Sequence, residues 1–217
     1  MRLIVFDLDG TLIDSRRDLA DAANALIVER GGSPLPVEAI AGMVGEGAAL
    51  LVQRALTAAG AVVDLDEDLP RFLSLYDERL LAQTRLYDGV YDALESLRAM
   101  APLAVLTNKP QRATERILDG LDVARYFRWV IGGDAAHGRK PDPGGLNHLI
   151  AQASAGARDT LMIGDSAIDL KTARAARTRI CLARYGFGFR GVDGLLSGDE
   201  LIADHARDLP RLVAHLS

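Results

Sequence analysis

Short apolar runs recur along the chain at residues 3–6, 103–106, 129–131, 161–163 and 180–183. None alternates with polar residues as a half-exposed strand would, and each is too short to be a helix. The pattern predicts strands buried on both faces. Between the later runs, apolar side chains return at helical spacing: Val90, Leu94 and Leu97, then Ile117, Leu118 and Leu121, then Leu146, Leu149 and Ile150. Strands alternating with helices imply an α/β chain built on a parallel, doubly wound sheet.

One stretch interrupts that alternation. From about residue 15 to residue 86 there are helical stripes but no strand. Leu19, Ala22, Ala23, Leu26 and Ile27 form one stripe, Leu50, Leu51, Arg54, Ala55 and Ala58 a second, and Phe72, Leu73, Tyr76 and Leu80 a third. Gly31-Gly32-Ser33-Pro34 and Gly45-Glu46-Gly47 divide them. The expectation is an α-helical insert after the first strand, placed as a cap or lid over the site. A core of residues 1–15 and 87–217 would then carry a cap of residues 16–86.

A chain of 217 residues, 49% hydrophobic and 25% charged, has enough material for a buried core and should fold on its own. Its net charge of -5 supplies no basic field for nucleic acid or anionic lipid, so an anionic ligand needs local cations. The single Cys181, between Ile180 and Leu182, reads as a buried strand thiol and fits a reducing compartment. The opening apolar run meets Asp7 at once, far short of a signal peptide or membrane span, and the protein is read as cytoplasmic.

The chemistry gathers at strand ends. Asp7 and Asp9 close the first apolar run, and their spacing of two lets both carboxylates face one side of an extended chain before Gly10 turns it. Thr107 follows the run ending at Leu106, Asp165 follows residues 161–164, and Lys140 stands in the loop Gly138-Arg139-Lys140-Pro141. A nucleophile, a second acid, a hydroxyl and an ammonium meet the needs of phosphoryl transfer, and carboxylates without a His or Cys cluster suit magnesium.

Together, Asp7-Leu8-Asp9-Gly10-Thr11-Leu12, Thr107, Lys140 and Gly164-Asp165-Ser166-Ala167-Ile168-Asp169 resemble the haloacid dehalogenase superfamily, in its phosphatase branch. Leu106-Thr107-Asn108-Lys109-Pro110, Ile131-Gly132-Gly133-Asp134, Lys140-Pro141-Asp142-Pro143, Gly45-Glu46-Gly47 and Tyr185-Gly186-Phe187-Gly188 look like the phosphoglycolate phosphatase subgroup, although phosphosugar phosphatases share several of them.

The resemblance implies a Rossmann-like core with a helical cap and a small phosphorylated substrate. It also implies an aspartyl phosphate on Asp7, with Asp9 as acid and then base. Mg2+ would be held by Asp7, the Asp9 carbonyl and Asp165, with Asp169 in support. Thr107 and Lys140 would hold the phosphoryl oxygens, while Asn108 would either touch substrate or cap the following helix. A cation on Asp7 and a neighbouring carboxylate would together leave the proton on Asp9.

One position departs from the family pattern: many relatives carry glycine where Arg177 stands, at a left-handed helix end. Rival readings are a phosphosugar phosphatase, a beta-phosphoglucomutase-like phosphotransferase and, more distantly, a receiver-type signalling domain. Asp9 and Asp165 argue against a dehalogenase. Arg16, Arg17, Glu46 and Arg54 are the candidate cap residues for selectivity, and the sequence does not give the oligomeric state.

Overall fold

The computed structural model describes residues 1–216. In chain order it opens with β1 (Leu3–Phe6), β2 (Ile13–Asp14), α1 (Arg16–Glu29), α2 (Val37–Ala41), α3 (Ala48–Ala58), α4 (Leu65–Asp77) and β3 (Arg85–Leu86). There follow α5 (Val90–Leu97), β4 (Leu103–Leu106), α6 (Gln111–Gly120), β5 (Phe127–Ile131), α7 (Gly144–Gln152), β6 (Thr160–Gly164), α8 (Ala167–Ala176), β7 (Arg179–Ala183), β8 (Leu201–Ala203) and α9 (Leu209–Ala214).

The main sheet runs β5-β4-β1-β6-β7-β8 with every pairing parallel. β1 is fully buried because both faces are covered. Ile4 and Phe6 join the cluster that includes Leu94, Ile117 and Val213 from α5, α6 and α9. Leu3 and Val5 point the other way, into a cluster with Leu146, Leu149 and Leu170 from α7 and α8. The doubly wound α/β fold follows directly from the apolar runs. Cys181 is the buried strand thiol expected of it.

The chain leaves β1 toward β4 on one side and later builds β6 on the other. That reversal opens a crevice at the carboxyl ends of β1, β4 and β6, where open α/β sheets bind ligands.

Helices α1–α4 lie between β2 and β3, which pair antiparallel through Ile13 with Leu86 and Asp14 with Arg85. This two-stranded stem was missing from the sequence reading because two-residue strands carry no periodicity. β8 escaped for a similar reason: three residues beside exposed loop are too few to register.

Every residue of the α1 stripe is buried. In α3 the inward face is Leu51, Val52, Ala55 and Leu56, whereas Leu50, Arg54 and Ala58 face solvent, so the expected stripe was rotated. α4 buries Phe72 and Tyr76 and stops before Leu80, which is buried beyond the helix end. The short α2 was not anticipated.

At Arg177 the helix end is left-handed without a glycine, with φ 58° and ψ 32°. The backbone is paid for by the terminal bonds, Arg177 N to Arg174 O at 3.1 Å and Thr178 N to Ala173 O at 3.0 Å.

The stem is fixed to α1 by one buried side chain. The Asp18 carboxylate accepts from the backbone N–H groups of Gln83 (3.0 Å) and Thr84 (2.8 Å) and from the Thr84 hydroxyl (2.7 Å). Asp18→Ala leaves these donors without their acceptor and should destabilise the fold by about 3 kcal/mol, lowering Tm by roughly 6–12 °C in a thermal melt. A change under about 2 °C would show that Asp18 does not secure the return from the helices to the sheet.

Candidate active site

Three strands deliver the reactive groups to the crevice. Asp7 follows β1, and its N–H donates to Ile163 O at 2.8 Å, tying it to β6. Thr107 follows β4, its N–H bound to Ile131 O at 3.0 Å, and Asp165 follows β6. The loop after β5 brings in Lys140, and the first turn of α8 brings in Asp169.

Local sequence makes room for this convergence. Gly10 sits at φ +86°, and a Cβ there would overlap the Asp165 carboxylate. Gly186 packs as tightly against Asp165, while the Gly188 N–H donates to Asp165 Oδ2 at 2.7 Å. The Tyr185-Gly186-Phe187-Gly188 segment is thus a cradle for one carboxylate. Ser166 starts α8 with a capping box: its N–H and hydroxyl donate to Asp169 Oδ2 at 3.0 and 2.6 Å, and the Asp169 N–H returns to Ser166 Oγ.

Lys140 is the hub of the charge cluster. Its Nζ lies 2.7 Å from Asp7 Oδ1 and 2.7 Å from Asp169 Oδ1, with the lysine only 5% exposed. Burial alone would lower the Lys140 pKa, but Asp169 and Asp7 outweigh it and hold the ammonium charged. Burial pushes Asp7 up to about 7, with Lys140 pulling it down and Asp169 pushing it further up. Asp165 rises well above the usual carboxylate range, first through burial and then through the charges of Asp169 and Asp7.

Oxygens of Asp7, Asp165 and Asp169 all lie within 4.8 Å of one another. Buried carboxylates this close are a donor set for a hard divalent cation, which would relieve their repulsion. Asp169 already engages Lys140 with one oxygen and Ser166 with the other, so Asp7 and Asp165 have more capacity for an ion.

Asp9 turns to a different partner. Both its oxygens lie 3.0 Å from Lys109 Nζ, and Oδ1 also accepts from the Ser15 hydroxyl. Lys109 is 7% exposed, and its Nζ stands 4.6 Å from the ring centroid of Tyr76 in α4. Burial alone would lower Lys109, but Asp9 and Tyr76 outweigh it and raise it. Burial pushes Tyr76 up to about 12.

Asn108 joins the two parts of the chain. Its Nδ2 donates to Gly45 O among the helices and to Lys140 O in the sheet loop, each at 2.8 Å, and its buried Oδ1 has no hydrogen-bond partner among the described residues. It does not cap α6, which begins behind Pro110 without a side-chain cap.

A cavity opens here, bounded below by Asp7, Asp9, Thr107, Asn108, Lys140 and Asp165. Its roof is apolar: Leu19, Val44, Leu51, Phe72, Leu73 and Tyr76. Asp7, Asp9, Thr107, Asn108, Lys140 and Asp165 therefore come together as the sequence suggested, with Asp169 directly behind them.

The four candidates for selectivity do not line it. Arg16 is paired with Asp14 at 2.6 Å, Arg54 with Glu46 at 2.6 Å, and Arg17 reaches Gln83. They are solvent-side charges of the helices, which sequence alone could not orient. Lys109, Tyr76 and Ser15 were overlooked as site residues. Lys109 had a signal, being a cation directly beyond the strand-end Thr107, but Tyr76 reads as one more apolar member of a helical stripe.

Buried carboxylates at the carboxyl edge of a doubly wound parallel sheet, beneath a set of inserted helices, are the features by which the chain can be compared with known proteins. The family model for haloacid dehalogenase-like hydrolases matches residues 4–183. The chain is 38% identical over 215 residues to phosphoglycolate phosphatase 1 of Pseudomonas aeruginosa, spanning 96% of this chain and 78% of that one. It is 39% identical over 202 residues to a phosphoglycolate phosphatase of Rhodospirillum rubrum, spanning 89% and 84% of the two chains. Among solved structures, a protein of Haemophilus somnus described as a predicted phosphoglycolate phosphatase superposes with a TM-score of 0.92 at 28% identity, covering 98% of each chain. The chain belongs to the haloacid dehalogenase-like hydrolase family, as an enzyme of its phosphatase branch. No helix among the described residues is long and apolar enough to cross a membrane.

The raised carboxyls would set the pH dependence of any cation bound between them. A divalent ion must displace the Asp7 proton below about pH 7 and meets a carboxylate above it. Affinity measured by calorimetry should therefore strengthen by at least about tenfold per pH unit up to that pH, with proton release from Asp7 and Asp165 seen in buffers of different ionisation heat. Affinity independent of pH between 5 and 7 (about two units) would contradict a site built on protonated carboxyls.

Proposed function

We propose that the protein hydrolyses a small phosphate monoester, 2-phosphoglycolate first among them, through an aspartyl phosphate formed on Asp7. The observation that carries this reading is Lys140 held between Asp7 and Asp169, with Asp9 two residues beyond Asp7 on the same cavity. The names of the relatives favour the substrate.

A carboxylate oxygen of Asp7 attacks phosphorus in line with the ester oxygen. The phosphorus–oxygen bond to the organic group breaks, its electron pair leaves on the alkoxide, and Asp9 supplies the proton. Asp9 then takes a proton from water, which attacks the phosphoryl group and returns Asp7 as a carboxylate and free phosphate. Lys140 and Thr107 hold the phosphoryl oxygens, and Asn108 orients the loop that carries Thr107. The Asp7 and Asp165 carboxylates, the Asp9 carbonyl and Asp169 in support fit Mg2+, whose part would be to offset negative charge on the phosphoryl oxygens and keep Asp7 ionised.

Residues 1–15 and 87–217 form the catalytic core in this reading, and residues 16–86 the cap. The apolar roof and the Asn108–Gly45 bond support a cap that excludes water while the aspartyl phosphate lasts. The single buried thiol fits a cytoplasmic setting.

Phosphate release should be measured over a panel of small monoesters, including 2-phosphoglycolate and glucose phosphates, with magnesium and with chelator. The expected result is magnesium-dependent release with preference for 2-phosphoglycolate, calcium failing as a substitute because its looser coordination misplaces Asp7. Asp7→Asn should lower turnover by at least about 1,000-fold, since it removes the nucleophile itself. Release from another ester moves the substrate. No release from any ester favours a phosphotransferase, and substantial turnover by Asp7→Asn defeats the aspartyl-phosphate mechanism.

A further inference from the structure

Among the described residues lining the cavity, the cations are Lys140 and Lys109. Lys140 is committed to Asp7 and Asp169 beside the proposed phosphoryl position. Lys109 has one carboxylate partner, Asp9, and on its other side meets the Tyr76 ring. The rest of the roof has no charge to offer, being Leu, Val and Phe.

A second feature points to the same spot. Tyr76 lines the cavity with 3% exposure, yet its O–H finds no hydrogen-bond acceptor among the described residues. A buried phenol without a partner is costly, and a ligand that accepts its hydrogen bond removes the cost. The ring is held in place by stacking on Phe72, with centroids 6.0 Å apart and planes 6° from parallel. Lys109 is held by its own backbone, whose N–H donates to Thr107 Oγ1 at 3.2 Å and whose carbonyl accepts from Gly133 N at 2.8 Å. An ammonium and a phenol, both rigid and both buried, thus stand side by side across the boundary between sheet and cap.

We propose that Lys109 and Tyr76 together form the receptor for a second anionic group on the substrate, a carboxylate next to the phosphorylated carbon. Resting on the phosphomonoesterase reading above, this assigns selectivity to a core lysine and a cap tyrosine instead of to the arginines of the cap. The geometry suits a short acid: Lys109 neighbours Asp9, the group assigned to the ester oxygen, so the carboxylate must sit within one or two carbons of that oxygen. A planar carboxylate can take one bond from each donor. A phosphosugar has no second anionic group, so it would leave Lys109 paired with Asp9 alone and offer the Tyr76 hydroxyl only a neutral acceptor, a difference that a polar pocket can use to discriminate.

The test compares 2-phosphoglycolate with ethyl phosphate, which has the same carbon count but a methyl group in place of the carboxylate. Wild-type enzyme should prefer 2-phosphoglycolate in kcat/KM. Lys109→Met should lose roughly 100-fold on 2-phosphoglycolate, mostly through KM, and much less on ethyl phosphate, so that the preference collapses. Tyr76→Phe, a change small enough to keep the fold, should lose about tenfold of the preference and remains decisive if Lys109→Met does not fold. Equal losses on both esters would mean that the pair acts through Asp9 or through packing, and would overturn the proposal, as would a wild-type enzyme that cleaves both esters alike. Wild type inert on both but active on another ester defeats the substrate reading instead, and is seen before any variant is made.

Discussion

Lys140 between Asp7 and Asp169 is the contact on which the rest of the site depends. Three buried carboxylates within 4.8 Å of one another repel strongly in a medium that screens them poorly. One ammonium 2.7 Å from two of them reduces that cost without removing it. Burial first, and the remaining repulsion after it, push Asp7 up to about 7 and Asp165 well above the ordinary range. A cation between these carboxylates would relieve what Lys140 leaves unbalanced.

The sheet is what makes the cluster possible. Two apolar faces bury β1 fully, and the Asp7 N–H is bound to Ile163 O in β6, two residues before Asp165. Glycines at positions 10 and 186 let backbone pass where a side chain would collide with Asp165. The capping box of α8 spends the second oxygen of Asp169, leaving the first for Lys140. A second buried pair, Lys109 with Asp9, lies against Tyr76 from the helices above. The two lysines thus stand on two sides of the cavity, Lys140 within the carboxylate cluster and Lys109 against helix α4.

Much of this could be read from sequence because the requirements are local. Unbroken apolar runs mark doubly covered strands, and acids placed directly after them must lie at the sheet's carboxyl edge, whatever the loops do. The helical insert was legible for the same reason, from stripes such as Leu19, Ala22, Leu26 and Ile27. What was not legible depends on distant parts of the chain meeting. Asp18 looks like a surface acid in the first turn of a helix, and only the return of residues 83–84 makes it a buried anchor. Arg16, Arg17, Glu46 and Arg54 looked available for substrate until their neighbours were known, while Tyr76 was hidden among apolar residues. Arg177 shows the converse case: the left-handed turn survives without glycine because its terminal hydrogen bonds are still made.

The central claim is that Asp7 is the atom-donating nucleophile of the cluster. The most direct measurement is acid-quench mass spectrometry of the protein mixed with 2-phosphoglycolate and magnesium for a time shorter than one turnover. The account predicts a phosphoryl adduct confined to the peptide that contains Asp7, labile to hydroxylamine as an acyl phosphate is, and absent from Asp7→Asn. Phosphate released in the same interval with no adduct on that peptide, or an adduct on another residue, would contradict it.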